Sequence, residues 1–124
     1  MLPAYYQTNN ADFTLYHGDT MQLLGQVDGT VDMIFADPPY FLSSGDNCVF
    51  NGTSIRFDKG EWDRKESPDF VYNFNKKWLS LCRQKLKDGG TIWVSGTYHN
   101  IFSVANCLTE LGYKILNVIV WHKS

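Results

Sequence analysis

The chain has 124 residues, enough for one domain with a modest core. Thirteen acidic and eleven basic side chains leave a formal net charge of −2, which excludes a uniformly basic nucleic-acid binder. No apolar run is long enough to span a membrane, and the N-terminus lacks the basic start and apolar core of a signal peptide. Cys48, Cys82 and Cys107 are odd in number and widely spaced. They form neither a disulfide framework nor a zinc pattern, so reduced thiols in a cytoplasmic protein without a metal site are expected.

Residues 1–12 are polar and read as a loosely held arm. Residues 13–17 alternate like a strand, and Gly18-Asp19 leads into a short helix over residues 20–24, with Asp19 as a natural N-cap. A turn at Val27-Asp28-Gly29-Thr30 precedes residues 31–36, a short apolar run expected as a strand covered on both faces. Asp37-Pro38-Pro39-Tyr40 follows at once. Residues 41–66 are rich in Gly, Ser, Asn and Asp and too long for an ordinary connection, so a long active-site loop or lid is expected. Trp62, within Lys59-Gly60-Glu61-Trp62-Asp63, would anchor its far end.

Ser67-Pro68 opens the main helix. Its apolar stripe runs Val71, Phe74, Trp78, Leu81, Cys82, Leu86, and Gly89-Gly90 closes it. Residues 91–95 form a second buried strand. A further helix carries Tyr98, Ile101, Val104, Ala105, Leu108 and Leu111 at helical spacing until Gly112 stops it. Residues 114–121 are predicted as a final strand. Residues 1–55 hold no Lys or Arg, and nine of the eleven basic side chains lie in residues 56–87, interleaved with acids. DNA affinity rests on several phosphate contacts, and this chain offers few obvious ones.

The alternation of strands and helices argues an α/β unit with a mostly parallel sheet. In such sheets ligands bind outside the carboxyl ends of the strands, which is where Asp37-Pro38-Pro39-Tyr40 falls. Two prolines remove ladder donors and lock φ at successive positions. The residue before a proline is pushed extended, so Asp37 leaves the strand stretched out. An exocyclic amine on a nucleobase is a poor nucleophile because its lone pair is delocalised into the ring. Two acceptors, the Asp37 carboxylate and the Pro38 carbonyl, would grip its N–H bonds and favour a more pyramidal nitrogen. Tyr40 offers a face for a flipped base, worth about 1–3 kcal/mol of stacking. Phe41 is a second stacking or wedge candidate that could equally bury itself.

Asp37-Pro38-Pro39-Tyr40 resembles the catalytic tetrapeptide of the amino-methyltransferases that methylate adenine N6 or cytosine N4 in DNA. Leu15-x-x-Gly18-Asp19 resembles the motif in that family whose acidic residue lies near the adenosyl part of S-adenosylmethionine. The resemblance covers all but the first dozen residues. It implies a doubly wound, Rossmann-like S-adenosylmethionine-dependent methyltransferase fold, with catalytic roles for Asp37, Pro38, Pro39 and Tyr40 and cofactor contacts from Asp19 and Asp37. No Gly-x-Gly precedes Asp37. That order resembles the N-terminal, catalytic-motif part of the permuted beta group of adenine-N6 enzymes, similar to the adenine methylases of GATC-type restriction-modification systems.

Residues 1–124 are accordingly expected as a single incomplete catalytic domain lacking the glycine-rich cofactor turn. DNA is the expected partner, together with a missing C-terminal half or a second subunit, and residues 1–124 alone are expected to be inactive. An inactive or split DNA-binding or subunit-interaction module is the alternative from another class. A methyltransferase acting on RNA or a protein glutamine is a further one, although those families put the glycine turn upstream.

Overall fold

The computed structural model describes residues 2–41, 47–50, 53–56 and 66–124. Its centre is a parallel pair of strands, β3 (Val31–Ala36) and β6 (Leu86–Val94), covered by three helices: α1 (Thr20–Gln26), α2 (Pro68–Lys85) and α3 (Ile101–Glu110). Two antiparallel hairpins complete the described strands. They are β1 (Tyr6–Gln7) with β2 (Thr14–Leu15), and β4 (Asn47–Phe50) with β5 (Thr53–Arg56).

Local chemistry accounts for the helix starts. Asp19 Oδ1 accepts from the backbone N–H of Met21 at 2.9 Å and of Gln22 at 3.2 Å, satisfying two orphan donors of α1. Ser67 Oγ accepts from Phe70 N at 3.3 Å, and Pro68 occupies the first turn of α2, where its missing N–H is not needed. Asp69 in the first turn and Arg83 and Lys85 in the last complement the helix dipole. The α3 helix stops at Gly112, which takes φ +79° while Tyr113 N bonds back to Leu108 O at 2.9 Å.

The core is one cluster in which Trp78, Leu79 and Cys82 of α2 meet Val104 and Cys107 of α3. Ile34 and Ala36 of β3, Ile92 and Val94 of β6, and Met21 and Leu24 of α1 pack against it. Full burial of an aliphatic side chain such as Leu79 contributes roughly 1.5–3 kcal/mol.

All of these contacts lie on one face of the strand pair. Along β3 and β6 the alternate side chains Met33, Phe35 and Trp93 are 53%, 67% and 46% exposed. The expectation of strands covered on both faces is therefore corrected: among the described residues the helices cover one face only, and period-2 alternation carries the other set outward.

Four further expectations change. The 1–12 arm is not loose throughout, because Tyr6–Gln7 pair with Thr14–Leu15 across a short connection that forces an antiparallel ladder. Among the described residues the parallel part of the expected sheet is the pair β3–β6, and the other two strand pairs are separate and antiparallel. Helix α2 ends at Lys85 rather than at Gly89-Gly90. Gly89, at φ +77°, and Gly90 instead form the irregularity where the ladder jumps from Val31↔Leu86 to Met33↔Thr91. A Cβ on Gly90 would lie 2.9 Å from Lys87 O and 3.1 Å from Asp32 O, so only glycine fits there. Residues 114–121 form no strand: Leu116, Val118, Ile119, Val120 and Trp121 are exposed, and no described strand edge meets them. A strand exists only as part of a ladder, and residues 114–121 join neither open edge of the β3–β6 pair, so apolar β-propensity alone leaves the chain irregular.

The 41–66 loop holds the β4–β5 hairpin, and Lys59-Gly60-Glu61-Trp62-Asp63 lies outside the described residues. No helix among the described residues is long and apolar enough to cross a membrane.

Candidate active site

The parallel register brings the carboxyl ends of β3 and β6 side by side, with Ala36 opposite Val94. One further bond, Ser95 N to Ala36 O at 3.0 Å, carries the pairing a step past the strands. Ser95 therefore arrives beside Asp37 as both chains leave the sheet. Its hydroxyl donates to Asp37 Oδ1 at 2.5 Å, and the Tyr40 hydroxyl donates to the same oxygen at 2.6 Å. The two hydroxyl oxygens lie 3.0 Å apart. Asp37 is exposed, whereas Pro38, Pro39 and Tyr40 are half-buried. A carboxylate has about four acceptor positions on two oxygens, and these two bonds to one oxygen fix the group in orientation.

A buried polar chain reaches the same turn from below. Asn100 Nδ2 donates to Pro39 O at 3.2 Å. Asn100 Oδ1 accepts from Asn75 Nδ2 at 2.7 Å, and Asn75 Nδ2 also lies 3.2 Å from Ser103 Oγ. Asn75 Oδ1 in turn accepts from Trp78 Nε1 at 3.0 Å. Asn75 is 0% and Asn100 1% exposed, and among the described residues no buried side-chain nitrogen or oxygen lacks a partner. Such a network is costly when broken and rigid when complete.

Of the residues singled out from sequence, the structure brings Asp37, Pro38, Pro39 and Tyr40 together. Phe41 follows at φ +57°, a bend that turns its ring inward. It is 7% exposed, edge-on to Phe74 at 5.4 Å and to Phe70 at 6.3 Å. Of the two readings left open for Phe41, burial is the one realised. Beside it a cleft of about 400 Å³ runs between the starts of α2 and α3, lined by Val71, His99 and Phe102 among others. Asp19 takes no part in the Asp37 cluster, and its Oδ1 is committed to the α1 cap.

Sequence reasoning missed Ser95, Asn75 and Asn100. Asn75 carried a signal: it sits four residues from Val71 and from Leu79, in the middle of the buried stripe. Asn100 fell inside the helix predicted from Tyr98 onward, between its apolar positions. Ser95 follows its strand as Asp37 follows β3, but that equivalence depends on the register.

Comparison with known proteins bears on these residues. The sequence profile of the N6/N4 methylase family, described as DNA methylase, matches residues 31–124. The chain is 46% identical to the type II methyltransferase M2.MboI of Moraxella bovis over 121 residues, 96% of this chain and 44% of that protein. It is 46% identical to M2.LlaDCHI of Lactococcus lactis subsp. cremoris and 44% identical to M2.DpnII of Streptococcus pneumoniae. Each of those two matches takes in 100% of this chain and 46% of the relative. The chain thus spans less than half the length of these curated relatives.

Proposed function

The chain belongs to the N6/N4 DNA methylase family, and we propose that it is the catalytic-motif part of a DNA adenine-N6 methyltransferase of restriction-modification type. The observation that carries this reading is the Asp37 carboxylate, exposed at the carboxyl end of β3 and held in place by the Ser95 and Tyr40 hydroxyls. Similarity to relatives named type II methyltransferases supports it.

In the proposed mechanism a flipped adenine presents its exocyclic amine to two acceptors, Asp37 and the Pro38 carbonyl. Their hydrogen bonds hold the nitrogen with its lone pair turned toward the methyl donor. Positive charge develops on that nitrogen as the N–CH3 bond forms at the expense of the donor's S–CH3 bond, whose electron pair stays on sulfur, so the charge-assisted bond to Asp37 strengthens on the way to the transition state. One N–H proton then passes along that bond to the exposed Asp37 carboxylate and on to solvent water. Rigidity matters more here than basicity, and the prolines with their polar supports supply it. Tyr40 serves as the stacking face.

S-adenosylmethionine, when bound, supplies the electrophilic methyl group. Its sulfonium charge and ribose hydroxyls suit carboxylates, and the exposed Asp19, fixed by its own cap, together with Asp37, would be the acceptors this chain offers them. The fit is partial. We propose that the glycine-rich grip on the methionine end comes from residues beyond these, in a longer protein or a second subunit, and that the parallel pair is part of a Rossmann-like methyltransferase sheet.

The test is methyl transfer by the full-length protein from labelled S-adenosylmethionine to duplex oligonucleotides with and without GATC, followed by nucleoside mass spectrometry. N6-methyladenine is the expected product. N4-methylcytosine, or methylation of RNA or protein with none of DNA, would refute the reading.

A further inference from the structure

We propose that Asn100 is a positioning residue for methyl transfer, acting through the Pro39 carbonyl and locked in its turn by Asn75; this rests on the functional reading above. In Asp37-Pro38-Pro39-Tyr40 the pyrrolidine rings fix φ of residues 38 and 39, and the peptide units are planar, but ψ is untouched by the rings. Rotation about ψ of Pro39 swings Tyr40 relative to the Pro38 carbonyl, and so moves the stacking face against one of the two acceptors. The Pro39 carbonyl reports that rotation directly, and Asn100 Nδ2 holds it at 3.2 Å.

Three observations mark this hold as more than packing. Asn100 is the N-cap residue of α3 yet makes no side-chain cap bond. An Asn at that position ordinarily accepts from its own helix, worth about 1 kcal/mol, and here the amide faces inward instead. Its donor direction is fixed, because Asn75 Nδ2 claims Oδ1 at 2.7 Å and so decides which way the amide is turned. Asn75 is itself oriented by the indole N–H of Trp78. Rigid core thus determines the orientation of a turn whose carboxylate is exposed. With Ser95 gripping Asp37, the connection from β6 to α3 fixes the side chain at one end of the tetrapeptide and the backbone at the other.

Asn100 is 1% exposed, so substrate does not touch it, and its removal should act on turnover rather than affinity. The experiment compares Asn100→Ala with Val104→Ala in the full-length protein. Val104 lies one turn further along α3, is 1% exposed, and touches the core instead of the tetrapeptide. Both variants are assayed well below their melting temperatures for kcat, for KM of DNA and for S-adenosylmethionine affinity. Fluorotyrosine at position 40 is followed by 19F NMR.

Asn100→Ala is expected to lose about a hundredfold in kcat, the scale set by misplacement of around 1 Å. Cofactor affinity should stay within twofold and the Tyr40 resonance should shift or broaden. Val104→Ala should keep kcat within twofold and leave that resonance unchanged. Equal kcat losses in the two variants, or an Asn100→Ala protein with wild-type kcat, would overturn the proposal. A wild-type protein that methylates no DNA amine, while Asn100→Ala still releases Tyr40, overturns the functional reading instead and reduces Asn100 to a structural clamp.

Discussion

Substituting Asn75 by Ala should be among the most damaging changes available to this fold, although it removes a polar side chain. Asn75 is 0% exposed and serves three neighbours: it accepts from Trp78 Nε1 and donates toward Asn100 Oδ1 and Ser103 Oγ. Ser103 is half-buried and can recruit solvent, so two groups, the indole N–H and the Asn100 carbonyl, are left buried without partners. A buried orphan of this kind costs about 1–3 kcal/mol. The expected loss for Asn75→Ala is therefore about 2–6 kcal/mol, a large part of a typical 5–15 kcal/mol stability.

The shared hydrogen bond couples this loss to a second change at Trp78. Trp78→Phe removes the indole N–H, so adding it to Asn75→Ala eliminates one of the two orphans. The double variant should be less destabilised than the sum of the singles by about 1–2 kcal/mol. Urea denaturation of the full-length variants, with midpoints and slopes fitted together, measures all four corners of the cycle. A loss below about 1 kcal/mol for Asn75→Ala, or strict additivity with Trp78→Phe, would show that the amide network does not carry the energy assigned to it.

Asp37→Ala should abolish nearly all methyl transfer while DNA binding persists, as read by initial rates beside a gel-shift titration; normal turnover would remove Asp37 from the mechanism. Tyr40→Phe keeps the ring but loses the hydroxyl that grips Asp37, so it should retain more activity than Tyr40→Ala. Calorimetry should find S-adenosylmethionine affinity little changed in both, and a collapse of that affinity would give Tyr40 another role. Burial pushes the Cys82 thiol from 9.0 up to about 11. Its folded-state pKa is raised, so its stabilising contribution is complete below pH about 9 and is lost as pH rises through about 11. Urea midpoints should fall less steeply over that window in Cys82→Ala than in the wild type, and identical slopes would contradict this.

What the sequence determined by itself was whatever is written in neighbouring residues. Asp19 and Ser67 cap their helices because an oxygen two or three residues ahead of a free N–H is a local fact. Gly112 ends α3 because a left-handed residue suits glycine, again a local fact. Asp37-Pro38-Pro39-Tyr40 was legible for the same reason, since prolines stiffen a turn wherever they occur. Expectations failed where the answer depended on partners distant in the chain. Strand propensity at residues 114–121 does not make a strand unless a ladder forms, and an apolar run at β3 does not reveal how many of its faces will be covered. Only the tertiary structure placed Ser95 on the Asp37 carboxylate, through a ladder between residues 58 positions apart. It alone turned Asn75 and Asn100 toward each other across the α2–α3 interface. A side-chain hydrogen bond between two helices depends on their packing, and packing is a property of the assembled core rather than of either segment.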